Sequence, residues 1–433
     1  MTDDEKRVHR LLWRAGFGAR REEIAERARA GVDATVDALL NPEGEGVDGP
    51  GPPLVDGEEL DPVGTYGHPQ LWWLDRAVRT RHPLLERMTL NWHDHFATRQ
   101  DEVPSPQLML DQYATLQAGA LGAFRDLARA IAMDGAMQHF LSIVNSSKEE
   151  PNENFARELF ELFTLGANNG YTEADVRDAA RAFTGYTYDF ESQQFGWDGT
   201  AHDRGRKTVL GRRGPFTPIE IVDAAIDDPR HPEFICTKLW AYHSPRPVSA
   251  RLLDDLTGVY RDSDTRIAPV LRRILTSDEF YADLDAPDMI KPPFVFVAGM
   301  LRLSGGSADD PGLVARLDRM GQLPFYPPNV SGWGSGTDWL SSNALRERFD
   351  IARRAFEGSL IDGDIPAESA DAALARARGA VGDPWTSTET DAVLADYAES
   401  LLAGRTESLP HYYAERQRVL MHLLLTGPDA QVC

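Results

Sequence analysis

The sequence predicts an all-α protein: predominantly helical, multi-helix and globular, with at most a small β-hairpin and long irregular loops. Three observations carry this. Apolar residues recur at helical spacing through most of the 433 residues. Alternating strand patterns are almost absent. Gly and Pro are concentrated in a few segments that punctuate the helical runs.

Taken in order, "RREEIAERARAG" and "GVDATVDALLN" read as two short helices near the start, and "PLLERMTLNWHDHFATRQ" and "PSPQLMLDQYATLQAGALGAFRDLARAIAMDGAMQHFLS" as longer ones. In "YTEADVRDAARAFTG", Thr172 is an N-cap with Asp175 three residues on. Val176, Ala179, Ala180 and Phe183 form its apolar face, and Gly185 stops it. Helical patterns also cover 217–227, 230–243, 249–262, 265–276, 287–304, 341–357 and 408–425. "YTYDFESQQFGWD" alternates aromatic and polar residues and predicts a hairpin. Two stretches read as loops. Residues 41–62 are dense in Gly, Pro and acids, and 358–390 is rich in Gly, Ala and Asp. The organisation expected is a main helical domain over 1–357 and a C-terminal linker and helices over 358–433 that pack on it.

Composition narrows the function. Forty-five Lys and Arg against 68 Asp and Glu give a net charge of −23, which repels nucleic acid and anionic membranes. Two cysteines exclude a disulfide framework and a cysteine-rich zinc module. No run approaches 18 apolar residues and the start carries no signal-peptide pattern, so a cytoplasmic protein is expected. There is no nucleophile elbow, phosphate-binding loop, zinc-protease motif or dinucleotide fingerprint.

Four segments carry candidate chemistry. In "NENFARELFELFTLG" (152–166) one broad helical face is apolar, while Asn154, Arg157, Glu158 and Glu161 share about a third of the circumference. Glu158 and Glu161 are three apart, so both carboxylates can reach one cation. Taken alone, the segment reads as a solvated stripe. In "NWHDHF", His93 and His95 diverge by about 160° on a helix and cannot share an ion without a local break. In "HDRGRKTVLG", His202 and Asp203 form a doublet that serves either as ligands or as a turn. The loop "PFYPPNVSGWGSGTDW" follows a stiff and then tight path that presents Trp333 and Trp339. It reads as a loop packed by its own tryptophans or as the wall of a site.

These segments, with "HRLLWRAGFG", "FICTKLWAY" and the closing "RVLMHLLLTGPDAQ", occur in an order that resembles the bacterial domain-of-unknown-function family 1800. The resemblance spans most of the chain. It implies a large helical protein with no firmly established activity. It places motif positions at Glu86, His93, His95, Asn152, Glu153, Asn154, Arg157, Glu158, Glu161, His202, Asp203, Asn329, Gly332 and Trp333.

Solvated stripes have no reason to be family motifs, so the resemblance moves the expectation towards a shared site. The first expectation is a metal-dependent enzyme, hydrolytic rather than redox. His93, His95, Glu158, Glu161 and His202 supply ligands to a divalent Zn, Mn or Fe ion, which activates a water. Glu153 and Asp203 orient a ligand or act as base, and Arg157 holds an anionic substrate group. A second expectation is an Fe- or Mn-dependent oxidoreductase. It is weakened because Glu161 stands where a di-iron carboxylate motif needs histidine. The third is a non-catalytic binding or assembly protein, in which the same residues form a buried polar network holding helices in register. Substrate and oligomeric state do not follow from the sequence.

Overall fold

The computed structural model describes residues 1–49, 51–189, 191–192, 194–355, 368–401 and 410–433. Among these are twenty α-helices and two antiparallel pairs of short strands, so the chain is predominantly helical. The segment read as one long helical run after Pro104 is three helices, Pro106–Gly119, Phe124–Ala132 and Gly135–Phe140. Asp134 caps the last of them by accepting the Met137 N–H at 2.9 Å. Thr172 and Asp175 form the expected reciprocal cap at the start of Glu173–Ala182. Thr2 with Glu5 and Thr217 with Glu220 do the same for Asp3–Arg14 and Pro218–Ile226.

Three elements differ from expectation. The 358–390 stretch contains a helix, Ala370–Ala380, whose Ala373 and Ala377 are buried. Alanine's high helix propensity outweighs the loop-like glycines and acids there. The rest of the expected linker, up to residue 367, lies outside the described residues. Besides the expected hairpin, Tyr186–Asp189 with Gln194–Trp197, a second one pairs Lys207–Val209 with Arg212–Gly214. Its two-residue turn puts Leu210 and Gly211 at φ 49° and 75°. Such turns usually announce themselves as Asn-Gly or Asp-Gly, and leucine at the first position hid this one. Finally, the helix of the 152–166 segment is α-helical only over Asn154–Glu158, and Leu159–Thr164 is a π-turn. There the Leu165 N–H reaches the Phe160 carbonyl at 2.9 Å, one residue further back than an α-helix allows.

The apolar residues gather into two cores. The first joins the helices up to Val32–Leu40 with those from Phe124–Ala132 to Ile267–Leu275. The second joins His68–Arg79, Pro293–Ser304 and Gly312–Arg319 with Ser342–Ala355 and the helices after it. Pro83–His95 is the wall between them. Its Leu84, Met88 and Trp92 enter the first core and its Leu90 the second. Trp73, Trp92 and Trp240 are among the largest fully buried side chains, each worth about 2–3 kcal/mol of transfer free energy.

Candidate functional site

The divergence of His93 and His95 decides what each one meets. His93 points into the second core, where its ring contacts Trp73, Phe325 and Trp333 at centroid distances of 5.4, 5.5 and 5.3 Å. Its Nε2 accepts the Phe325 N–H at 3.0 Å, so the proton of the neutral ring sits on Nδ1. Burial pushes its pKa down to about 3. His95 points into the first core, against Phe96 and Phe163 at 4.5 and 5.9 Å. Its Nε2 lies 3.1 Å from the Phe163 carbonyl and donates to it, and burial holds its pKa well below the usual imidazole range.

The residues on either side act in the same manner. Trp92 donates its indole N–H to the Ala120 carbonyl at 3.0 Å. Asp94 accepts the Trp333 N–H at 2.7 Å. Four consecutive residues at the end of one helix therefore fasten four backbone groups on three other segments, around residues 120, 163 and 325–333.

The partners are backbone groups that would otherwise lack a bond. The end of the 154–164 helix leaves its last carbonyls unpaired. Lys238 donates to the Leu162 carbonyl at 3.3 Å, His95 to Phe163, His231 to Thr164 at 2.8 Å, and Asn169 to Leu165 at 2.8 Å. His231 is fixed in turn by the Tyr260 hydroxyl, 2.8 Å from its Nε2, and burial lowers its pKa to about 4.

On the opposite side, Phe325 has φ 65°, a conformation costly for a residue with a Cβ. It is held from both ends, by His93 at its N–H and by the Gln100 N–H at its carbonyl, 2.9 Å away. Gly332, at φ 85°, lies so close to Asp94 that a Cβ would stand 2.2 Å from its Oδ1. Only glycine permits that approach.

Asp94 was not singled out in the sequence, although it sits inside "NWHDHF". Burial raises its pKa to about 6, against the lowering effects of the Trp333 N–H and of Lys238. Burial likewise depresses the Lys238 ammonium, with Asp94 opposing. Lys238 nevertheless keeps solvent contact, and Asp94 is only half-buried. The two sit within electrostatic reach of each other, with no ion pair joining them among the described residues. Lys238, in "FICTKLWAY", gave no sequence signal beyond its position on a helix.

The remaining candidates are arranged as follows. Arg157 pairs with Glu153 at 2.9 Å and with Glu173 at 2.7 Å, and the Glu173 bond raises its already high pKa. Glu158 and Glu161 are half-buried and neither enters an ion pair with Lys, Arg or His among the described residues. Burial, and then the charge of Glu161, raise the pKa of Glu158. His202 donates from Nδ1 to the Thr184 carbonyl at 2.9 Å, and its ring lies tilted against that of Trp197 at 4.8 Å. Asp203 accepts from Arg181 at 2.7 Å and from the Gly205 N–H at 2.7 Å, and the Arg181 bond lowers its pKa. Glu86 takes bonds from Tyr113, Gln117 and Arg76 at 2.7, 2.7 and 3.0 Å. Among the described residues, no three or more His, Cys, Asp or Glu side chains converge in a way that could hold a metal ion. The structure thus brings Glu158 and Glu161 near each other and sends His93, His95 and His202 to separate backbone partners.

Fold and site together define a helical protein whose motif residues stitch two cores and a long Pro- and Gly-rich loop through a single helix. The family described as "Protein of unknown function (DUF1800)" matches residues 10–432, and the chain belongs to it. No curated protein and no solved structure matches the chain. Among the described residues, no helix is long and apolar enough to cross a membrane.

Proposed function

We propose that the chain is a non-catalytic binding or assembly protein whose motif residues form a buried network that fixes its framework. One observation carries this reading. His93, Asp94 and His95, three adjacent polar residues in a motif, each hold a different remote backbone group at 2.7–3.1 Å. An imidazole whose Nε2 already accepts an N–H has no lone pair left there for a metal. The charge of −23, which repels nucleic acid and anionic membranes, supports a reading with neither as partner.

The test is elemental analysis of the untagged protein, purified without chelator, beside His93→Phe and Glu158→Ala variants. The expected result is no Zn, Mn or Fe near one per chain in any of them, with reduced unfolding free energy in His93→Phe. Near-stoichiometric metal in the wild type, lost from Glu158→Ala, would sink the proposal.

That outcome would favour the second reading, a divalent-metal hydrolase or, with Fe or Mn, an oxidoreductase. One observation supports it: among the described residues Glu158 and Glu161 enter no ion pair, while burial and Glu161 hold the Glu158 proton more tightly than usual. A divalent ion held by these two carboxylates would relieve that repulsion. Glu153, Arg157 and Asp203 would serve it only by giving up part of their present ion pairs.

A further inference from the structure

One cavity has no residue of the stitched helix in its lining. It measures about 450 Å³ and is bounded by residues 55–68, the Gly312–Arg319 helix and Leu323. Its floor is apolar, with Val55, Leu71 and Leu323 buried. Ligand cavities fall in the range of about 300–1,000 Å³ and combine apolar walls with a few placed polar groups. The acids here are Asp56, Glu58 and Asp318, beside Thr65 and His68, whose Nδ1 is taken up by the Asp61 N–H. None of the three makes an ion pair among the described residues, and no Lys or Arg lines the cavity.

The wall that carries two of these acids is defined rather than slack. Val55 and Glu58 exchange backbone hydrogen bonds at 2.9 and 3.0 Å across a two-residue turn, with Asp56 at φ 52° and Gly57 at φ 85°. The turn drives Val55 into the floor and leaves its neighbours at the mouth. Tyr66, which lines the cavity, is 79% exposed, and Leu54 and Val63 of the same segment, outside the lining, are 56% and 46% exposed. Apolar surface left in water beside unpaired carboxylates is complementary to a ligand that is both apolar and positive.

The acids are distributed around the cavity and do not converge as metal ligands would. Two of the acids lie on the 55–58 turn and the third on the Gly312–Arg319 helix, and an extended organic cation can face both walls. The Tyr66 ring at the mouth offers a π-face to such a cation.

We propose that this cavity binds a small organic cation, an ammonium or guanidinium group carried on an alkyl or aryl body. The inference rests on the binding-protein reading and names its ligand class.

Titration calorimetry on the full chain tests it, with phenethylamine and agmatine against 3-phenylpropionate, which keeps the aryl body and reverses the charge. Both amines are expected to bind at least ten-fold more tightly than the anion, with affinity falling as salt rises. The combined Asp56→Asn, Glu58→Gln, Asp318→Asn variant should lose at least ten-fold in amine affinity. Asp254→Asn, on the distant Ala250–Asp262 helix, should lose none. If the triple variant does not fold, Tyr66→Ala replaces it, because that exposed ring is dispensable for packing, and a several-fold loss is expected. Equal binding of amine and anion, no amine binding at millimolar concentration, or full affinity in the variants would overturn the proposal. Amine binding that fails in a metal-free protein removes only this cavity's role. Stoichiometric metal removes the binding-protein reading itself, whatever the amines do.

Discussion

Two irregular segments of this chain look alike in composition and are built in opposite ways. Residues 325–336 and 41–66 are both rich in Gly and Pro. The first is fastened from the interior. His93 holds Phe325 and Asp94 holds Trp333, and Trp333 itself is buried. The second is fastened at its margins. Asp48 bonds the Arg79 carbonyl through its N–H at 3.0 Å, Asp61 donates its N–H to His68 at 2.9 Å, and Leu54, Val63 and Tyr66 face water. Gly and Pro set where a chain can turn. What holds the turned chain in place depends on side chains supplied from elsewhere, and that decides whether the segment becomes part of the framework or the rim of a cavity.

The sharpest way to break this comparison is a matched pair of glycine substitutions. Gly332→Ala drives a Cβ to within 2.2 Å of Asp94 at a positive φ, and should cost about 3 kcal/mol or more in denaturant unfolding. Gly57→Ala shares the positive φ but meets no atom within 4 Å, and should cost only about 1–2 kcal/mol. Equal losses would mean that backbone strain alone, and not the close approach to Asp94, separates the two segments.

Histidine replacements come next. His93→Phe keeps the aromatic contacts but orphans the buried Phe325 N–H, for an expected loss of about 2 kcal/mol. In His68→Phe the freed Asp61 N–H is exposed and turns to water, so less than about 1 kcal/mol should be lost. A His93 variant as stable as the wild type would remove the staple from the account.

Acid sharpens the comparison further. His93, His231 and His243 are held near 3, 4 and 3 by burial, below their unfolded value of about 6.5. Their contribution is complete above about pH 6.5 and is lost as the pH falls through that window, because the unfolded chain takes up the protons first. Asp94 and Asp134, each raised to about 6, act in the opposite sense. Their burial penalty is relieved between about pH 6 and 4. Net stability should therefore fall on acidification, and in Asp94→Asn the fall should be steeper because one compensating proton is gone. Thermal melts from pH 8 to 4 read both slopes, and a parallel or shallower curve for the variant would count against this assignment. The smallest effect is expected at Leu54→Ser, within about 0.5 kcal/mol, since that side chain is 56% exposed.

Much of the fold was legible because its signals are local. The Thr172–Asp175 cap, the hairpin within 186–198 and the helical pattern that opens at Pro83 each lie within one stretch of chain. That pattern alone was enough to send His93 and His95 to opposite sides. Their destinations were not legible, because nothing near residue 93 names Phe325. The extra residue in the 159–164 turn was hidden for a similar reason. Its exposed carbonyls become tolerable only through Lys238, His95 and His231, which arrive from two other helices. The family resemblance drew attention to His93 and His95 and passed over Asp94 between them. It could not tell a ligand from a fastening, since both place a polar side chain in a motif.

The stitched helix also imposes an order in time. Phe325 lies 232 residues after His93, and Trp333 lies 239 after Asp94. At ribosomal speeds of about 5–20 residues per second, the Pro83–His95 helix emerges tens of seconds before either partner has been synthesised. Through that interval the nascent chain carries an imidazole and a carboxylate on a half-built apolar face, so the second core is completed only when the last third of the protein reaches it.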